Sequence, residues 1–165
     1  MCDLLKKYEK LDNWGKVEFL TQLEFQDNEE KWNLLSQIIL DSKEYDLARI
    51  EALKILEVAS IPTKYKDTLA RCICSLIKNE KDYDIKNYAG IAAVNFIEYS
   101  CIQNICIQGL LDCSEDIDLR YNYLTVLLKM NDKKKVRDVL EKMVGNGDAG
   151  LAKTVERNLR LLENG

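Results

Sequence analysis

Three stretches of the chain say nearly the same thing: "EYDLAR" (residues 44–49), "DYDIKN" (82–87) and "DIDLRY" (116–121). Each is an acid, then Tyr or Ile, then Asp, then Leu or Ile, with Lys or Arg close behind. Such a recurrence marks one structural event repeated along the chain. Asp46, Asp84 and Asp118 stand where a helix would open, able to cap its free N–H groups or to meet its positive end. The acids two residues earlier, Glu44, Asp82 and Asp116, add to that field, and Tyr45, Tyr83 and Ile117 are expected to close each turn as a staple-like contact. Successive copies lie 38 and 34 residues apart, and a degraded fourth, "GDAGLAK", places Asp148 30 residues after Asp118.

Outward from these turns the apolar spacing is helical. In "WNLLSQIILD", Trp32, Leu35, Ile38 and Ile39 recur at three and four, and "LARIEALKILEVA" puts Ala48, Ala52, Leu56 and Ala59 on one face. "DTLARCICSLIKN" repeats the pattern with Leu69, Ile73, Leu76 and Ile77. "IKNYAGIAAVNFIEY" is apolar nearly all round, as a helix covered on several sides should be. No segment alternates as a strand does. The breaks predict helices near 2–11, 13–25, 29–41, 44–60, 63–79, 82–99, 101–113, 116–130, 133–145 and 148–163, with Pro62 beside a helix start. The connections are short enough to make neighbouring helices antiparallel hairpins.

A repeat of 30–40 residues, built from two helices of which the second opens Asp–aliphatic–x–Arg/Lys and continues with small and aliphatic core positions, resembles the HEAT-repeat family. The matching segments are 46–56, 84–96 and 118–130. The chain departs from the family in lacking prolines in the first helices. Its basic residue also shifts by one register between Arg49, Lys86 and Arg120. The resemblance implies an all-α fold: a right-handed α-solenoid of about five antiparallel hairpins in one domain, 1–165. Residues 1–27 would form the N-terminal cap, 28–145 the central repeats and 146–165 the C-terminal cap helix.

At 165 residues with 47% hydrophobic and 32% charged residues, the chain can bury a core and keep a charged surface. Net charge is −4 but unevenly spread: residues 1–128 carry 15 basic and 22 acidic side chains, net −7, and residues 129–165 carry 9 and 6, net +3. That balance argues against nucleic acid or an anionic membrane as the general partner. The basic run Lys133, Lys134, Lys135 and Arg137 reads as a solvated helix start rather than a phosphate-binding patch. No apolar run approaches the roughly 18 residues of a membrane helix, and six cysteines without secretory spacing or a signal peptide place the protein in a reducing cytoplasm.

Histidine is absent, which removes the commonest general base and metal ligand, and with them any His-dependent triad. Cys72 and Cys74 project to opposite sides of a helix, and Cys101, Cys106 and Cys113 lack a CxxC spacing, so buried thiols are the reading and no metal or cofactor is expected. Of the carboxylates only Glu57 and Glu98 lie on long helices. "GNGDAG" (145–150) spells a GxGxxG but follows a helical segment. Gly145 and Gly147 read as a left-handed helix stop and Asp148 as the next cap.

What remains is a surface. Outward positions of the second helices form a ladder of Glu51, Lys54 and Glu57, then Asn87, Gly90 and Asn95, then Tyr121, Asn122, Thr125 and Lys129. Partner binding is assigned to Glu51, Lys54, Asn87, Asn95, Tyr121, Asn122 and Thr125. Short acidic HEAT-like chains resemble immunity proteins that neutralise bacterial toxins, which implies a non-catalytic protein-binding module, monomeric or weakly dimeric when free, whose partner is a basic toxin domain. The alternative is a general scaffold. A HEAT-like enzyme comes third, because the resemblance to the DNA glycosylases demands a basic inner face and that to the hydroxylases demands His.

Overall fold

The computed structural model describes residues 3–26, 28–145 and 148–163. Cys2 and Gly147 lie outside the described residues. Within them the chain is all-helical, with ten α-helices, one 3₁₀ turn and no strand. The helices are α1 (Asp3–Tyr8), α2 (Asn13–Leu23), α3 (Glu30–Leu40), α4 (Asp46–Val58), α5 (Thr63–Asn79), α6 (Tyr83–Ala92), α7 (Ser100–Leu111), α8 (Ile117–Leu128), α9 (Lys133–Met143) and α10 (Ala149–Glu163). None is long and apolar enough to cross a membrane.

The chain divides into two compact units, residues 1–96 and 97–165. In the first, α3 packs on α4 and α5 on α6, while α1 meets α3, α2 meets α4, α3 meets α5 and α4 meets α6. The core is the set of small and aliphatic positions that the spacing marks: Ala48, Ala52 and Leu56 of α4 and Ile85, Ala89 and Ala92 of α6 are all fully buried. The alanines let α4 and α6 approach closely. In the second unit α7 packs on α8, α9 on α10, and α7 on α9, around Leu110, Tyr123, Leu140 and Leu151.

The repeated turns open helices as expected, but the capping residue is the earlier acid. The Asp82 carboxylate accepts from the Ile85 N–H at 3.0 Å and that of Asp116 from the Asp118 N–H at 2.8 Å. Asp84 and Asp118 sit in the first turn, where their charge meets the helix dipole. At the first copy Tyr45 holds the N-cap position without a side-chain cap, and Asp46 begins the helix. A side chain at N-cap reaches N–H groups two and three residues ahead, which one already inside the first turn cannot do. Tyr83 is 43% exposed.

Counted from the N-cap, Arg49, Lys86 and Arg120 each fall four residues in, and the register shift of the sequence pattern disappears. The two arginines are 3% exposed. Arg49 donates through Nε and Nη2 to the Ile39 carbonyl at 3.3 and 3.0 Å and pairs with Glu80. Arg120 donates to the Leu110 carbonyl at 3.0 Å, and its Nη2 faces Met143 Sδ at 3.9 Å. Each guanidinium therefore ties the start of one helix to the free carbonyls at the end of the helix before it.

The expected helix 82–99 stops at Ala92 and tightens into a 3₁₀ turn, Ala93–Phe96. The cause lies in α4: Asn95 Nδ2 donates to the carbonyls of Leu56 and Glu57 at 2.8 and 2.7 Å and approaches that of Ala59 at 3.3 Å. These are carbonyls at the end of α4 that its own ladder leaves open. Asn95→Ala is expected to cost about 1–3 kcal/mol, the penalty for orphaned buried carbonyls. Urea denaturation measures it, and a loss inside error would mean that water replaces the amide.

The turn between α9 and α10 follows its sequence reading where it is described. Gly145 has φ 81°, ending α9 in the left-handed region, and Asp148 Oδ1 accepts from Gly150 and Leu151 N–H at 2.7 and 3.1 Å. The GxGxxG letters thus join two helices. The basic run is largely committed within its own unit: Lys133 donates to the Leu128 carbonyl, Lys135 to Gln103 and Arg137 to the Leu162 carbonyl. Lys133 and Lys134 stay exposed at the start of α9, as expected of a solvated helix start, while Lys135 and Arg137 are half-buried with partners inside the unit.

Candidate functional site

The seven residues assigned to partner binding fall in the two units and are described unit by unit. In the first, Glu51 is half-buried and pairs with the exposed Lys54 at 3.1 Å, while Thr21 Oγ1 donates to Glu51 at 3.4 Å. Asn87 on α6 is half-buried. Asn95 is half-buried, with its amide N–H groups engaged at the end of α4. Gly90, placed in the outward ladder by the helical wheel, is buried. The wheel errs there because α6 has neighbours on more than one side, α4 and α5.

In the second unit Tyr121 and Asn122 are half-buried and Thr125 is exposed, its hydroxyl donating to the Tyr121 carbonyl at 3.0 Å. The Tyr121 hydroxyl lies against Gly150, where an added Cβ would stand 3.0 Å from it. The structure thus joins Glu51 to Lys54 and Tyr121 to Thr125.

The chemistry-bearing groups singled out in the sequence stay dispersed. Glu57 is half-buried in the first unit and Glu98 exposed in the second. Burial raises the Cys72 thiol above its ordinary pKa and pushes Cys106 up to about 12, so both remain protonated and poorly nucleophilic at neutral pH. Cys74 and Cys101 are half-buried and Cys113 is exposed. Among the described residues no group of three or more Cys, Asp or Glu side chains is placed to hold a metal ion.

One polar concavity in the first unit is absent from the sequence reading. A cleft of about 290 Å³ in the first unit is lined by Tyr8 and Glu9 at the end of α1, Lys16 of α2, and Gln37, Asp41 and Glu44 at and beyond the end of α3. Leu5 and Ile38 supply its apolar walls. Tyr8 is 2% exposed, and its buried hydroxyl oxygen receives no hydrogen-bond donor. Burial first, then the Glu44 carboxylate through its charge and a side-chain hydrogen bond, and last the charge of Asp41, raise its pKa well above the ordinary phenol value, so it stays protonated. Lys16 Nζ bridges both Glu44 oxygens at 2.8 and 3.0 Å and lies 5.1 Å from the Tyr8 ring centroid. These side chains come from α1, α2, α3 and the turn after it, spread over some forty residues, so no local spacing announces them. The one available signal was Glu44, read only as part of a helix-start field.

No protein-family model matches the sequence, and no curated protein matches it significantly.

Proposed function

We propose that the chain is a right-handed α-solenoid of HEAT-like antiparallel hairpins. On this reading it is a non-catalytic binding module, an immunity protein that neutralises a basic bacterial toxin domain in the cytoplasm. Support for the architecture comes from packing: in the first unit odd helices meet odd and even meet even, as stacked two-helix repeats require. The observation that carries the partner class is charge. A surplus of seven acids over residues 1–128 creates a field that steers a basic domain toward this chain and repels acidic competitors. The dispersal of carboxylates and thiols supports binding rather than catalysis.

Co-expression with the protein encoded immediately upstream tests the reading. The expected result is a stoichiometric complex that survives high salt, of roughly nanomolar affinity or better, as inhibition of a lethal enzyme requires. The upstream protein should be toxic when expressed alone. A panel of weakly held, unrelated cellular proteins in place of that complex would instead identify a general scaffold. Asn87→Arg and Tyr121→Ala, made singly, test the assigned surface of each unit, and a complex indifferent to both would remove these residues from the interface.

A further inference from the structure

We infer that the cleft between α1, α2 and the end of α3 receives the guanidinium group of an arginine side chain. This inference rests on the proposed recognition of a basic polypeptide and names its anchoring point. The cleft carries three carboxylates, Glu9, Asp41 and Glu44, against the single cation of Lys16, a net charge of −2 in a concavity with apolar walls. Acidity alone would be ordinary surface. Two further observations make it a receptor.

The first is the Tyr8 hydroxyl. Its O–H is directed to the Glu44 carboxylate while its buried oxygen receives no donor, and an entering N–H donor would occupy those open lone pairs. The second is Lys16. Its ammonium already occupies the position a ligand cation would take, on the Glu44 carboxylate and over the Tyr8 ring. The cleft is thus built to hold a cation, and the resident one sits on a flexible side chain from a neighbouring helix.

Guanidinium fits better than the ammonium it replaces. It is planar, presents five N–H donors in a fixed fork, pairs with carboxylates two bonds at a time and stacks on aromatic faces. Asp41, which lines the cleft, uses Oδ1 to accept from the Lys43 N–H at 2.9 Å, and Oδ2 is not used by that bond. Gln37 is exposed there with its side-chain amide available. An arginine that displaces Lys16 meets Glu44, Asp41 and the Tyr8 hydroxyl together, while its methylene stem lies along Leu5 and Ile38.

The test uses the intact chain and a small probe, Nα-acetyl-arginine amide, followed by backbone amide shifts at Tyr8, Gln37 and Asp41. The expected result is saturable binding in a roughly millimolar range, as suits a ligand of this size. The citrulline counterpart, equal in shape but uncharged, should give no shifts. Asp41→Asn, a change at an exposed side chain, should weaken the probe by roughly tenfold. Lys16→Met should tighten it several-fold by removing the competing cation, an effect that a purely structural lysine would not give. Equal shifts with citrulline, or an affinity indifferent to Asp41→Asn, overturns the inference. Because the probe needs no toxin, the outcome is separable: probe binding without a protein complex sinks the proposed function and keeps the cleft, and the reverse sinks the cleft alone.

Discussion

Arg49→Met is expected to cost about 1.5–3 kcal/mol at neutral pH, the range for losing hydrogen bonds to a charged group at a part-buried ion pair. The guanidinium is 3% exposed and Glu80 14%, so the carboxylate left behind has little water to replace its partner. The Ile39 carbonyl loses both its donors in the same step. Methionine keeps much of the stem volume, which confines the loss to charge and hydrogen bonding.

The cost should depend on pH in one direction. Burial by itself would raise the Glu80 carboxyl, but the Asp82 N–H, the Arg49 guanidinium and the Lys81 N–H together hold it below the usual carboxylate range. A folded pKa below the unfolded one contributes stability that is complete above the unfolded value, about 4.3 for Glu, and is lost as pH falls through the folded pKa. The deficit of Arg49→Met should therefore be largest near neutrality and shrink as pH falls from about 5 toward 3. Arg120→Met is the control, since no carboxylate meets Arg120 among the described residues and its partners are a carbonyl and a thioether. Urea titrations of both variants at several pH values decide the matter. A deficit for Arg49→Met that is flat with pH would show that Glu80 does not depend on it.

Gly109→Ala is expected to destabilise the second unit although it places a better helix former inside α7. The propensity gain is about 1 kcal/mol. Against it, an added Cβ would stand 2.3 Å from Tyr123 Cε2 and 2.6 Å from Cδ2, and the ring is fully buried. A rigid ring in a filled core cannot yield by a full ångström without moving its helix, and overpacking of this kind costs about 1–3 kcal/mol or more. The clash wins. Tyr123→Phe keeps the ring and should not rescue the variant. Tyr123→Leu removes the ring edge and should recover part of the loss, read as a negative coupling in a double-mutant cycle. A higher melting temperature for Gly109→Ala alone would mean that the contact relaxes freely.

Much of this architecture is written locally. The three acidic turns, the positive-φ Gly145 and the spacing of Ala48, Ala52 and Leu56 each carry their meaning within a few residues, because caps and helical faces are short-range objects. Asp84 and Asp118 stand in the first turn and meet the helix dipole while Asp82 and Asp116 make the N-cap bond, and the apparent register shift of the basic residue arises at the first copy, whose N-cap is Tyr45 rather than an acid. A helical wheel allows one buried stripe and puts Gly90 outward, whereas α6 packs against both α4 and α5. Asn95 looked like an open polar contact, yet its amide serves an element 36 to 39 residues earlier.

Periodicity and capping act within one or two turns, so the helices, their order and most of the buried faces can be read along the chain. Which polar groups are spoken for depends on how the helices come together. Arg49 reaching Glu80, Lys135 reaching Gln103, and Lys16 bridging Glu44 over a buried Tyr8 all join residues about thirty apart. The physical reason is that a charged or amide side chain is satisfied by whatever folding brings within about 3 Å, and one-dimensional spacing holds no record of that distance.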